Sequence, residues 1–232
     1  MSNWALIVAA GKSERFDDPL PKQFQEVAGR PLLSWTIEKF ELASLIDKIM
    51  VVVAADYQLE TTRNIIDPFG FQKVAKVVGG GQSRQESVLK GLEALPESTR
   101  VVAIHDGVRA LVSPDDIDKV VKLALTEKAA MLALPATDTV KKVKNHSIVE
   151  TIDRKQIWLA QTPQAFEYQL ILDAHRKFAK NPKGTSATDD ASLVEALGVE
   201  VKVVEPSSLN LKVTTAADLK YVEIVLGAKE HV

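Results

Sequence analysis

A chain of 232 residues with a formal net charge of −2 is long enough for one large domain, or one domain and an arm, and its ordinary apolar content supplies a sizeable core. The near-neutral balance gives no footing for general nucleic-acid or membrane binding, and the lack of cysteine excludes disulfides, thiolate metal sites and a cysteine nucleophile. Met1-Ser2-Asn3-Trp4 has no basic stretch and no signal-like apolar core, so a cytoplasmic protein is expected.

In chain order, strand signals alternate with helix signals. Leu6 to Ala9 is a short apolar run ending in small residues, and it opens into a loop carrying Lys12, Arg15 and Lys22. That is the layout of a buried strand delivering a small-residue, cationic loop to the carboxyl edge of a sheet. It is neither of the common phosphate loops, and a solvated loop after a core strand is the plainer alternative. Val27 to Arg30 reads as a turn, and Pro31 starts a helix with Leu33, Ile37 and Phe40 on its apolar face. Ile49 to Val53 is a continuous apolar run, as in a strand buried on both faces. Asp56 then caps a helix through about Ile66, and Val74 to Val78 is a third strand.

Gly79-Gly80-Gly81 precedes Ser83-Arg84-Gln85-Glu86, which has capping-box spacing at the head of a helix. Val101 to Ile104 is a fourth strand, ending at His105-Asp106-Gly107-Val108-Arg109. A helix from Ser113-Pro114 leads to a fifth strand over Ala130 to Pro135. Between Asp138 and Trp158 apolar residues are interspersed with charge, and Asn145-His146 suits a hairpin turn, so this stretch reads as an arm leaving the sheet. Helices over about Phe166 to Ala179 and up to Gly198, a strand over Val199 to Val204, a short extended piece at Asn210 to Val213 and a last helix after Thr215 complete the chain. The alternation implies an α/β fold with a mostly parallel sheet flanked by helices.

Polar clusters fall where strands end, which is where such sheets bind ligands. Arg15 and Lys22 suit a polyphosphate, or are solvated charges. The glycines with Ser83, Arg84 and Ser87 can read the edge of a base through amides and hydroxyls, or form a capped turn. Asp106 can take a magnesium ion or a sugar hydroxyl, or pair with Arg109 to fix a turn, while His105 reads as structural. The four histidines are scattered, which gives zinc no ligand pair, and no nucleophile elbow is present. Nothing in the spacing of Thr139, Arg154, Thr162, Thr188, Asp189 and Lys212 groups them.

Taken together and in order, Ala9-Ala10-Gly11-x-x-x-Arg15, Pro21-Lys22-Gln23, Gly80-Gly81-x-x-Arg84-x-x-Ser87, His105-Asp106-x-x-Arg109, Asp138-Thr139-x-Lys141, Asp153-Arg154, Gln161-Thr162-Pro163-Gln164, Thr188-Asp189-Asp190-Ala191 and Asn210-x-Lys212 form a specific set. The chain resembles the 2-C-methyl-D-erythritol 4-phosphate cytidylyltransferase family over nearly its whole length. The resemblance implies a Rossmann-like nucleotidyltransferase fold and a single domain over residues 1–232, with a protruding β-arm at about 138–158 that joins two copies in a homodimer. It implies CTP and methylerythritol phosphate as substrates and magnesium, or another divalent cation, as cofactor. By position, Ala9, Ala10, Gly11, Gly81 and Ser87 would hold the cytidine, with Asp106 near the ribose. Arg15 and Lys22 would hold the triphosphate and stabilise the transition state. Asp106, Arg109, Thr139, Thr162, Thr188 and Lys212 would line the sugar-phosphate site, and Arg154 would reach the partner's substrate. Asp106 is also the candidate metal residue, most ligands coming from phosphates.

Departures from the family pattern are Ser13, Phe16, Gln82, and Gly107-Val108 with Ala110 around Arg109. The nearest rival is the sister branch acting on ribitol 5-phosphate, which more often shows Ala-Gly-Gly in the opening loop. A non-catalytic nucleotide-binding protein is the other reading, and Arg15, Lys22, Asp106 and Lys212 speak against it. A fused cyclase domain is not expected at this length.

Overall fold

The apolar runs of the sequence become a twisted sheet whose strands bury both faces. The computed structural model of the chain describes residues 1–11, 20–180, 188–207 and 209–229. The expectations for Lys12, Ser13, Arg15 and Phe16 lie outside the described residues.

The main sheet contains β1 (Ser2–Ala9), β2 (Lys48–Val53), β3 (Val74–Gly79), β4 (Thr99–Asp106) and β5 (Ala129–Pro135). After β6 (Val140–Lys144) and β7 (Ser147–Ile152), which pair only with each other, β8 (Trp158–Glu167) and β9 (Lys202–Val204) complete it. The spatial order is β9-β5-β8-β4-β1-β2-β3. All pairings are parallel except those of β8, which runs antiparallel between β4 and β5.

Alternation along the strands sorts the core into two layers. Ala5, Ile7, Ile49, Val51, Val53, Val101 and Ala103 face one side, with Leu33, Ile37 and Phe40 of α1 (Leu32–Leu42) and Ile117 and Val121 of a later helix. Trp4, Leu6, Met50, Val52, Val102 and Ile104 face the other. There α2 (Arg84–Glu93) lies so close to β1 that a Cβ on Gly91 would come within 2.5 Å of Leu6. Further helices are α3 (Pro114–Glu127), α4 (Tyr168–Ala179), α5 (Ala191–Glu195) and α6 (Ala216–Lys229). Each fully buried aliphatic side chain contributes about 1.5–3 kcal/mol, so the two layers carry most of the stability.

Three expectations change. Residues 158–167 form a strand that the sequence reading leaves unassigned, and the helix begins at Tyr168 instead of Phe166. The cause is local: Gln161, Thr162, Pro163 and Gln164 interrupt the apolar pattern, and the ladder to β5 shifts register between Ala160 and Gln164. The strand expected from Val199 shortens to Lys202–Val204. The helical stretch over 55–69 begins at Ala55 with no side-chain cap, so Asp56 does not cap it. The hairpin of β6 and β7 does turn at Asn145-His146, with φ of +50° and +60°. Two positive-φ residues are what a two-residue hairpin of native twist requires.

The departures after β4 fit the packing. A Cβ on Gly107 would lie 2.9 Å from the Ala9 Cβ, and the Gly107 carbonyl accepts from the Thr36 hydroxyl at 2.9 Å. Val108 and Ala110 are buried in a third cluster with Trp35, Val213, Val222 and Leu226, under α6.

Candidate active site

At the carboxyl ends of β1, β3 and β4 three loops converge. Gln23, buried in a 3-10 turn over Lys22–Phe24, donates from Nε2 to the carbonyls of Ala9 (2.8 Å) and Gly11 (3.1 Å). That bond ties the Lys22 turn back onto the opening loop. A Cβ on Gly80 would lie 2.7 Å from the Ala10 Cβ and 2.8 Å from the Ser87 Oγ, so the two loops touch only because position 80 has no side chain. The Ser87 hydroxyl donates to the Ser83 carbonyl at 2.8 Å and accepts from the Gly81 amide at 3.0 Å. Ser83 caps α2 by accepting from the Glu86 amide. The returning bond from Glu86 goes to the Gln82 amide at 2.9 Å, so the expected capping box closes one residue early. Ala9, Ala10, Gly11, Gly81 and Ser87 thus share one edge.

Beside this edge lies a cavity of about 240 Å³. Asp106, Arg109, Thr162, Thr188 and Lys212 all line it, from four separate parts of the chain. Asp106 ends β4, and its carboxylate is the hub. Oδ1 accepts from Arg84 Nε at 3.2 Å, and Oδ2 faces Lys212 Nζ at 2.9 Å and Arg109 Nε at 3.5 Å. Burial alone would raise this carboxyl; Arg84, Lys212 and Arg109 outweigh it and hold it well below the usual carboxylate range. The Asp106–Arg109 pair is therefore real, and it belongs to a larger cluster. With three cations around it, Asp106 accepts from side chains of its own chain.

A second layer holds these groups. Arg84 Nη2 also donates to Asp190 Oδ2 at 2.8 Å, and the other Asp190 oxygen accepts from His175 Nε2 at 3.0 Å. Burial lowers the Arg84 guanidinium, but Asp190 and then Asp106 leave it raised overall and firmly charged. Gln164 clasps β8 to the 188–191 segment. Its Oε1 accepts from the amides of Asp190 (3.1 Å) and Ala191 (2.9 Å). Its Nε2 donates to Asp189 Oδ2 (2.9 Å) and the Gln161 carbonyl (3.3 Å). Arg109 Nη1 donates to the Asn210 carbonyl at 2.7 Å, which anchors the segment that brings in Lys212.

Arg84, Gln161, Gln164 and Asp189 line the same cavity, and the sequence expectations place none of them there. Their presence in the ordered blocks was the available signal. Two expected residues stand apart. Thr139 is exposed at the base of the hairpin, and Arg154, also exposed, donates to the Thr137 carbonyl of its own chain. Neither lines the cavity. The hairpin shows apolar side chains to solvent: Val143, Ile148 and Val149 are 55%, 67% and 59% exposed. Trp158 and Leu159, at the root of the arm, are exposed as well.

The family model described as "IspD: 2-C-methyl-D-erythritol 4-phosphate cytidylyltransferase" matches residues 4–228. The 2-C-methyl-D-erythritol 4-phosphate cytidylyltransferase of Pelotomaculum thermopropionicum is 40% identical over 227 residues, 97% of this chain and 94% of the relative. That of Halalkalibacterium halodurans is 41% identical over 226 residues, 97% of each chain. Among solved structures, the 4-diphosphocytidyl-2C-methyl-D-erythritol synthase of Anaerococcus prevotii superposes with a TM-score of 0.84 at 29% identity, covering 97% of this chain and 96% of that one.

Proposed function

The chain belongs to the 2-C-methyl-D-erythritol 4-phosphate cytidylyltransferase family, and on that premise we propose how its own residues carry the reaction. The enzyme transfers CMP from CTP to 2-C-methyl-D-erythritol 4-phosphate, giving 4-diphosphocytidyl-2-C-methyl-D-erythritol and pyrophosphate in non-mevalonate isoprenoid synthesis.

The observation that carries the assignment of roles is the cationic cavity set directly beside the small-residue edge. Ala9, Ala10, Gly11, Gly81 and Ser87 hold the cytidine where side chains would block it. Arg15 and Lys22 hold the triphosphate and stabilise charge on the leaving pyrophosphate. Arg109, Lys212 and Thr188 hold the acceptor sugar phosphate, and Asp106 keeps the cations in register and faces the sugar hydroxyls. The attacking group is a phosphate monoester oxygen, ionised near neutral pH because its second pKa is about 6, so no general base is required. The protein aligns this oxygen with the α-phosphorus and screens the like charges of the two substrates.

Magnesium, or another divalent cation, enters as the counter-ion of the triphosphate. The carboxylates of the cavity do not fit a metal of their own. Asp106 is engaged by three cations, and Asp189 accepts from Gln164 and the Ser192 amide. No group of three or more His, Asp or Glu suited to a metal occurs among the described residues.

The working unit is a single cytoplasmic domain paired as a homodimer. The exposed apolar residues of the β6–β7 arm support this, since an isolated hairpin with so little burial needs a surface to cover it. Thr139 and Arg154 then act on the partner's substrate. No helix among the described residues is long and apolar enough to cross a membrane.

The direct test supplies purified protein with CTP, magnesium and one sugar phosphate at a time. Pyrophosphate release with methylerythritol phosphate is expected; release with ribitol 5-phosphate alone would overturn the acceptor assignment.

A further inference from the structure

Behind the cavity floor lies a relay that the reaction as described does not use. β8 pairs with β4 from Gln164 opposite Ile104, which sets Thr162 opposite Asp106. The backbone ladder stops at Gln164, and Pro163 has no amide to offer. The Asp106 amide donates instead to the Thr162 Oγ1, at 3.0 Å. The same oxygen lies 3.1 Å from His105 Nδ1, and His105 Nε2 lies 3.2 Å from the Arg109 carbonyl. The His105 ring is fully buried and packs at 4.9 Å against Phe40.

Donor and acceptor counting fixes every proton in this chain. A carbonyl only accepts, so Nε2 carries the hydrogen. Burial pushes the imidazole down to about 3, so the ring is neutral at working pH and Nδ1 is bare. Nδ1 therefore accepts, and the Thr162 hydroxyl is its donor. The polarity runs from the Asp106 amide to Thr162, from Thr162 to His105, and from His105 to the Arg109 carbonyl. One imidazole thereby pins the backbone of both Asp106 and Arg109, whose side chains pair at 3.5 Å in the cavity wall.

We propose that His105 is a positioning residue of the acceptor site, acting through the Thr162 hydroxyl, and that this hydroxyl serves the protein and not the substrate. The inference rests on reading the cavity as the sugar-phosphate site. It reassigns Thr162, which lines the cavity but has its proton and one lone pair engaged by its own chain.

Thr162→Ser keeps the hydroxyl and Thr162→Val keeps the shape without it. With CTP and methylerythritol phosphate, the Ser variant is expected within about threefold of the wild type. The Val variant, which orphans the Asp106 amide, is expected to lose about tenfold in kcat/KM for the sugar phosphate with the KM for CTP unchanged. Nitrogen-15 spectra of the His105 ring give a readout independent of turnover. The neutral Nε2-protonated form is expected from pH 5 to 8, with the Nδ1 resonance moving downfield in Thr162→Val. It is expected to stay in place when the wild type, with CTP and a chelator, is saturated with the sugar phosphate. A shift of Nδ1 on adding the sugar phosphate, or a Val variant with wild-type kinetics, overturns the proposal. Pyrophosphate release by the wild type tests the underlying acceptor reading separately, because the Nδ1 shift in Thr162→Val does not depend on it.

Discussion

The cavity around Asp106 and the β6–β7 arm are opposite solutions to placing charged residues. In the cavity every charged group has a named partner: Asp106 gathers three cations, Asp190 holds Arg84, and Gln164 holds the segment that carries Thr188. Lys212 arrives with an anchored segment. In the arm the strands pair only with each other, its apolar side chains face outward, and Arg154 reaches no farther than Thr137. The charged groups of the first region are all paired within one chain. The second has the form of a surface awaiting another molecule, and the lesson is that the site's residues divide by how they are supported and not by sequence distance.

Mixing variants tests this division most severely. Lys22→Ala and Arg154→Ala are each expected to cut kcat/KM on the order of a hundredfold, as loss of a transition-state cation or phosphate anchor does. Mixed and allowed to exchange subunits, the two inactive proteins should recover part of the activity, read as pyrophosphate release. No recovery would mean that the arm serves its own subunit.

Stability should separate the regions next. Asp106→Asn removes the negative hub from three buried or half-buried cations and is expected to cost about 3 kcal/mol in chemical denaturation. Val143→Asp on the arm should change single-chain stability by no more than about 0.5 kcal/mol, yet shift sedimentation toward the monomer. Equal losses from both substitutions would erase the distinction.

Acid should act on the cavity and spare the arm. His105 is neutral when folded and binds its proton only near pH 3, whereas an unfolded histidine binds one near 6.5. Between those values the unfolded chain holds more protons, so stability falls as pH drops below about 6.5, by up to about 1.4 kcal/mol per pH unit. Asp106 and Asp190, both held below the usual carboxylate range, add to the loss below about pH 4. Urea midpoints at pH 7 and pH 5 would register the first step, and Thr162→Val leaves the histidine window in place.

The smallest effect belongs to the arm's own ion pair. Lys142 and Glu150 sit 3.7 Å apart with both side chains more than half exposed, and Lys142→Ala is expected to change stability by less than about 0.5 kcal/mol in the same titration.

How much of this was legible depended on what each stretch buries. Ile49 to Val53 and Val101 to Ile104 lie in strands covered on both faces, and an unbroken apolar run admits few other readings. Asn145-His146 was legible because two positive φ angles narrow the choice of residues. β8 escaped because its middle is the cavity wall, where Gln161, Thr162 and Gln164 are chosen for hydrogen bonds and not for packing. Residues 105 to 109 and 79 to 87 stood out as strand ends. Thr188, Asp190 and Lys212 had no local signature, since Gln164 and Arg109, far away in sequence, hold the segments that carry them. Only their order among the other blocks flagged them.

Gln164 has a further consequence, for how the chain can vary over time. Its amide accepts two backbone hydrogens at one end and donates to a carboxylate and a carbonyl at the other. Among the twenty residues only asparagine offers the same groups, and it falls one methylene, about 1.5 Å, short of the span. Neighbouring positions can drift through conservative steps, but this one has no intermediate to pass through. Position 164 is therefore a point at which no other residue type supplies the same four bonds.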